Sequence, residues 1–449
     1  MRKPLLSILV ATITIANVLV AQTNPTKSTY ITCSEFHVTI PLRDMPAQTD
    51  SDRINAAANH EKLEEREEAM RPQRVNVKKQ PQIPDPVAQK KQGNKILSPP
   101  LVNFGGQLTI YSPPDPNGAV GPTQYVQAIN TSIRVFNKSG TPLTAAIDLK
   151  TIFPGSADDG DPIVLYDKFA DRWFISEMKI SGTPIGILVA VSKTNDATGA
   201  YYTYTFTNAE WSTSYIDQPK YSIWTDGYYM TANYNPEAVV VLDRTRMLAG
   251  KQSAGMILTP TPTSPYLLGG GPNNSIANLA KTFDCDASAL PAYGTPNYMV
   301  FFEDVNSGGA SNMIKFYKLT HDTAAKTLTV VKWDSIAPAT FNTSFTSTSS
   351  TYYDLELTQP GTPNNLDALD GTFNFRVPFI SFSGYNSILL SNTVNTGSNV
   401  AGIRWYEIRQ DPGTQHFSIY QQGTYAPADG ASRWNASMAM DKNGNIALE

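Results

Sequence analysis

Histidine and cysteine are scarce in this chain, with 4 and 2 among 449 residues. His37 and His60 precede the main body, while His321 and His416 fall at a strand end or on an outer strand. A Ser-His-Asp centre therefore has little to draw on. Cys33 and Cys285 belong to no CxxC or Cys/His cluster, which removes the usual zinc patterns. Export would permit a disulfide between them, and two separate thiols are the equal alternative. There is no GxSxG, HExxH or P-loop. Charged residues make up only 16% of the chain, and its formal net charge is −4. Residues 1–95 hold 14 Lys/Arg and 10 Asp/Glu, so the remainder is net −8. An acidic body without a basic stripe excludes nucleic acid as the expected partner. Long apolar runs are missing after the first twenty residues, so nothing in the mature chain could span a bilayer as a helix.

The exception is the start. Arg2-Lys3, the apolar stretch Leu5 to Val20, and Ala21 ahead of Gln22 read as a secretory signal, residues 1–21. Thr12, Thr14 and Asn17 interrupt the stretch too often for a membrane helix. Residues 22–96 are charged and poor in aromatics, with EKLEEREE at 61–68 and the pairs Lys78-Lys79 and Lys90-Lys91. They read as a flexible linker or pro-segment. The body, 97–449, is long enough to bury a large core, and its expected address is the bacterial cell surface or exterior, as a monomer.

What the body contains in abundance is short apolar strands joined by tight turns. Gly160 to Met178 (GDPIVLYDKFADRWFISEM) is a hairpin whose strands flank the turn Lys168 to Arg172. Ile185 to Val191 and Tyr201 to Thr207 follow as two more strands, the second alternating with the period of an outer strand. Four strands in a row make one blade of a β-propeller. The same unit recurs from Asp115, from Asp217, from Asn297 and from Phe375, and Arg433 to Leu448 opens a sixth that has two strands only. The expected fold is all-β, a propeller of about six four-stranded blades. Gln107 to Ser112 (QLTIYS) is a candidate outer strand to close the ring, and a β-sandwich is the competing architecture.

Several strings carry a resemblance: DPNGAVGPTQYVQAIN, DGDPIVLYDKFADRWFISEM, DRTRML, AGIRWYEIR and QQGTYAPADGASRWNASMAMDKNGNIAL. Across about Asn103 to Leu448 the chain resembles a family of large exported proteins frequent in Bacteroidetes. The resemblance implies export and a propeller-like fold. It implies no activity and transfers no catalytic residue.

If the blades align as above, the openings of the innermost strands bring Asn117, Asp161, Asp217, Lys220, Asn297, Arg376 and Arg433 to one mouth of a central channel. Arg404 joins the arginines as a grip for a carboxylate, while Asp accepts from sugar hydroxyls. The competing reading makes each of them turn chemistry or packing. A glycan-cleaving centre would need two carboxyls, with Asp161 and Asp217 as candidates and Glu303 or Glu407 as the acid. Tyr166 and Trp224 would be its sugar platforms. No cofactor is expected; Asp159 and Asp441 are the weak calcium candidates, since neither loop ends in a bidentate Glu. The reading that follows is a propeller binding a polysaccharide, glycoconjugate or protein without catalysis. A glycan hydrolase or lyase and a structural module of a larger surface protein are the alternatives.

Overall fold

The computed structural model describes residues 28–58, 84–92, 99–110, 113–182, 184–208, 216–234, 238–260, 280–303, 311–346, 357–369 and 372–449. The expected signal peptide, the run at 61–68 and Lys78-Lys79 lie outside the described residues. The chain is all-β, as its strand-sized apolar runs predict. No described helix is long and apolar enough to cross a membrane.

Among the described residues, five sheets of four or more strands, mainly antiparallel, follow one another along the chain. The first contains Asn117–Val120, Gln124–Ile129, Ser132–Asn137 and Ile147–Asp148. The second contains Ile163–Asp167, Arg172–Lys179, Gly186–Ser192 and Tyr201–Thr207. Ile216–Ile223, Tyr228–Tyr234, Ala238–Leu242 and Gly255–Pro260 make the third. The fourth runs Lys281–Thr282, Asn297–Glu303, Met313–Asp322 and Thr327–Ile336. In the fifth, Pro378–Phe382, Tyr385–Asn395, Ala401–Gln410 and Phe417–Tyr425 are preceded by Asp284–Cys285, which pairs in parallel with the first of them. A two-stranded hairpin, Met438–Met440 with Ile446–Leu448, forms its own small sheet and lies against Pro378–Phe382 and Tyr385–Asn395 of the fifth.

Burial explains the order. Gly186–Ser192 (GILVAVS) and Ala238–Leu242 (AVVVL) are buried at every position, which a continuous apolar strand requires when both sheet faces are covered. Thr327–Ile336, near the outside, instead begins with exposed and buried positions in alternation. One apolar layer joins the first and second sheets through Val126, Ile133, Trp173 and Leu188. Another joins the second and third through Phe174, Val189, Tyr221 and Val240. A third joins the third, fourth and fifth through Trp224, Phe283, Phe316 and Ile388. Leading strands also touch in sequence: Asn117–Val120 beside Ile163–Asp167, and Ile163–Asp167 beside Ile216–Ile223. Ile216–Ile223 in turn lies beside Lys281–Thr282 and Asp284–Cys285.

Three expectations are corrected. The region set apart as a linker is, where described, built into the body. Thr29–Thr32 adds an edge strand to Gly255–Pro260, Glu35–Val38 adds one to Tyr201–Thr207, and Ala88–Gln89 pairs with Phe417–Tyr425. Leu42 and Met45 are buried in the layer between the first two sheets. The physical reason is edge pairing: each added strand satisfies a row of backbone groups that would otherwise face solvent. Tyr201–Thr207 is consequently buried rather than half-exposed. Second, the fourth sheet starts at Lys281–Thr282, so Asn297 opens its second strand and is wholly buried, donating Nδ2 to the Phe283 carbonyl at 3.2 Å. Third, residues 107–110 form no strand. Gln107 is held on the first sheet by two bonds to Gln127, and Tyr111 and Ser112 lie outside the described residues.

Candidate functional site

The loop before the second sheet carries the residues on which the sequence reading centred. Three of four residues in Asp158-Asp159-Gly160-Asp161 have positive φ: Asp158 at 59°, Gly160 at 96° and Asp161 at 49°. Such geometry is strained for a non-glycine residue and persists only where neighbours over-determine it. Asp161 is so held. Its carboxylate accepts the Gln218 N–H of the third sheet at 2.6 Å, and its own N–H donates to Asn130 Oδ1 of the first sheet at 3.1 Å. Asn117 does the same one interval earlier, accepting Val164 N–H at 2.7 Å. Both side chains therefore act as latches between adjacent leading strands. Asp217 lies in Ile216–Ile223, and its side chain is outside the described residues.

Lys220 shares that strand and bears on Lys281 of the fourth sheet. Complete burial, with the Lys220 charge adding to it, pushes the Lys281 ammonium well below the usual lysine range. Arg376 pairs with the buried carboxylate of Asp284, which also accepts Ile223 N–H at 2.9 Å. Asp286 and Lys168 extend this cluster with an ion pair of 3.1 Å. Asp161 and Asp284 thus grip one strand at Gln218 and at Ile223, five residues apart along an irregular stretch.

The other candidates are dispersed. Arg404 is fully buried, bonded to Asp85, Thr424, Gln422 and the Ala339 carbonyl, and it pins the 84–89 segment to the fifth sheet. Arg433 forks onto Asp429 at 3.0 and 2.6 Å within its own turn. Glu303 pairs with Lys315 at 2.6 Å. Glu407 is buried and accepts from Arg409, Ser387 and Gln421. Trp224, offered as a sugar platform, is wholly buried with its indole N–H on the Thr295 carbonyl. Tyr166 donates to Asp171 and packs on Trp173. Asp159 accepts from Ile180, Ser181 N–H and Ser181 Oγ, and Asp441 from Asn443 and Asn445, which is turn geometry. Among the described residues no three His, Cys, Asp or Glu side chains are grouped to hold a metal. Cys33 and Cys285 are both free thiols.

Two arrangements were missed in the sequence. Glu177 is entirely buried, accepting Ser156 Oγ at 2.9 Å and Gly160 N–H at 3.3 Å. Burial, reinforced by the nearby Asp158 and Asp159 carboxylates, pushes its carboxyl well above the ordinary range. Its one signal was a lone acid inside the apolar run WFISEM. Asp167, also fully buried, accepts Arg244 Nε at 2.7 Å and Nη2 at 3.0 Å, and Tyr228 Oη at 2.9 Å. This triad bolts the second sheet to the third.

Two clefts stand out among the described residues. One, about 410 Å³, is lined by Arg43, Gln124, Leu143, Asn195, Asp196 and Thr198. Its polar groups bond to each other: Arg43 and Gln124 both reach Asp196, and Gln124 accepts Ala197 N–H. The second, about 380 Å³, lies between residues 102–106 and the first sheet.

No protein-family model and no curated protein matches the chain. Among solved structures it is similar to an exo-1,5-alpha-L-arabinanase from a bovine ruminal metagenomic library, at 11% identity over 75% of this chain and 96% of that one, with a TM-score of 0.26. An alpha-L-arabinofuranosidase from Clostridium thermocellum gives 12% identity, 70% and 94% coverage, and a TM-score of 0.28. A tail fibre of Staphylococcus aureus phage P68 gives 9%, 69%, 62% and 0.12. Scores at this level assign neither a fold nor an activity.

Proposed function

We propose that this chain is an exported β-propeller that binds a polysaccharide without cleaving it, in keeping with the exported bacterial family it resembles. The five sheets are its blades, and the Met438–Leu448 hairpin occupies the sixth position. Face-to-face apolar layers between consecutive sheets and leading strands in lateral contact support that architecture. The observation that carries the binding reading is the engagement of the three candidate catalytic carboxyls whose side chains are described. Asp161 is tied to Gln218 N–H, Glu303 to Lys315, and Glu407 to Arg409 and Gln421. A general acid or base must reach a substrate proton, and these oxygens are turned to the protein. Glu177 favours the second reading, a glycan hydrolase, because a carboxyl pushed up by burial beside other carboxyls suits a general acid. Its enclosure argues against that role. The test is retention on immobilised neutral and acidic polysaccharides, with released reducing ends measured in parallel. Retention without release supports the proposal, and release abolished by Glu177→Gln or Asp161→Asn overturns it. Capture of a protein ligand with no glycan retained would also overturn it.

A further inference from the structure

The cleft over the first sheet differs from the other in having polar groups that are not taken. Its walls are Val102, Phe104, Val120 and the ring of Tyr125. Phe104 packs edge-on against Tyr125 at 6.1 Å and tilts over Phe136 at 5.4 Å. Two glycines make room for the rings: a side chain at Gly118 would meet Tyr125 Oη at 2.7 Å, and one at Gly140 would strike the Phe104 ring. Burial raises the Tyr125 phenol above its ordinary range, so it stays a neutral donor at physiological pH. Lys138 lines the same cleft, and no carboxylate does. Arg43 in the other cleft has Asp196; Lys138 has no ion-pair partner among the described residues.

We propose that this cleft takes a carboxylate-bearing sugar residue, a uronic acid within or at the end of an acidic polysaccharide; the inference rests on the glycan-binding reading above. A pyranose ring has an apolar C–H face that suits the Phe104 and Tyr125 rings, and hydroxyls that suit the Asn103 amide and Tyr125 Oη. Lys138 supplies the one opposite charge for the carboxylate. At about 380 Å³ the space holds one or two sugar units. No Asp or Glu lines the cleft, so recognition is local and charge-specific.

The experiment is calorimetry on the purified protein with oligogalacturonate and, in parallel, uncharged xylo-oligomers. Lys138 faces solvent, where an ion pair contributes modestly, so Lys138→Gln is expected to weaken oligogalacturonate about two- to fivefold. Phe104→Ala should weaken both oligomers, and raising salt should weaken the acidic one alone. Lys138 is exposed, so its variant should fold normally. Oligogalacturonate bound equally by wild type, Lys138→Gln and Phe104→Ala overturns the cleft assignment and leaves the glycan reading standing. Stronger binding of xylo-oligomers than of oligogalacturonate overturns the acidic-sugar assignment. No retention of any polysaccharide removes both.

Discussion

Arg244→Ala tests the bolt between the second and third sheets. The Asp167 carboxylate is completely buried and accepts three charge-assisted or phenolic bonds, two from the Arg244 guanidinium and one from Tyr228 Oη. It also caps its own turn through the Phe169 and Ala170 N–H groups. Removing Arg244 leaves an uncompensated buried charge, which costs about 3–5 kcal/mol. Against a typical stability of about 5–15 kcal/mol, that is a fifth or more of the total. Replacing both partners with apolar residues, Asp167→Leu with Arg244→Met, should recover most of the loss, because desolvation offsets much of the Coulomb gain of a buried pair. Urea unfolding read by far-UV circular dichroism and by tryptophan fluorescence would measure both, since Trp173 and Trp224 flank the layers concerned. Coincident transitions are needed before a free energy is extracted from a body this large. An Arg244→Ala change within about 0.5 kcal/mol of wild type, the range of neutral surface substitutions, would refute the reasoning.

Three further outcomes follow from named contacts. Glu177 has its carboxyl pKa raised on folding, so the native state binds the extra proton. Its contribution is present below the ordinary value of 4.5 and is lost as pH rises. Glu177→Gln should therefore hold its urea midpoint between pH 5 and 8 better than wild type does; a parallel decline would contradict this. Deleting residues 28–39 removes Thr29–Thr32 and Glu35–Val38 and uncovers two sheet edges, so light scattering should show association at concentrations where the intact chain is monodisperse. Asp429, held by the Arg433 fork and the Ala431 N–H, has its carboxyl pushed down to about 2. Carbonyl NMR titration should find it there, and Arg433→Gln should move it back toward the ordinary range.

The second sheet was legible because its strands advertise themselves: IVLYD and WFIS around a tight turn, then GILVAVS, then alternating aromatics and threonines. The added edge strands were not. TYIT and EFHV are four residues long and mixed in polarity, and they are strands only because Gly255–Pro260 and Tyr201–Thr207 offer open edges more than 160 residues later. Site residues divide in the same way. Asn117 and Asp161 could be read as special from their turns, but that their acceptors face the N–H groups of the next sheet is a fact of three dimensions. Arg404 in GIRWYE reads as a grip for a ligand carboxylate. Its burial depends on Asp85, 319 residues away. Lys138 and Asn103 carried no signal at all, since a turn lysine and a loop asparagine acquire meaning only where the chain folds 102–106 over the first sheet.

The most direct test of the central claim is one column and one assay: the purified protein on acidic and neutral polysaccharide resins, with reducing ends counted in the flow-through. Retention with no reducing ends above background, unchanged by Glu177→Gln, is the result expected of a binding propeller. Reducing ends that accumulate with wild type and vanish with Glu177→Gln would make the protein an enzyme and contradict the account.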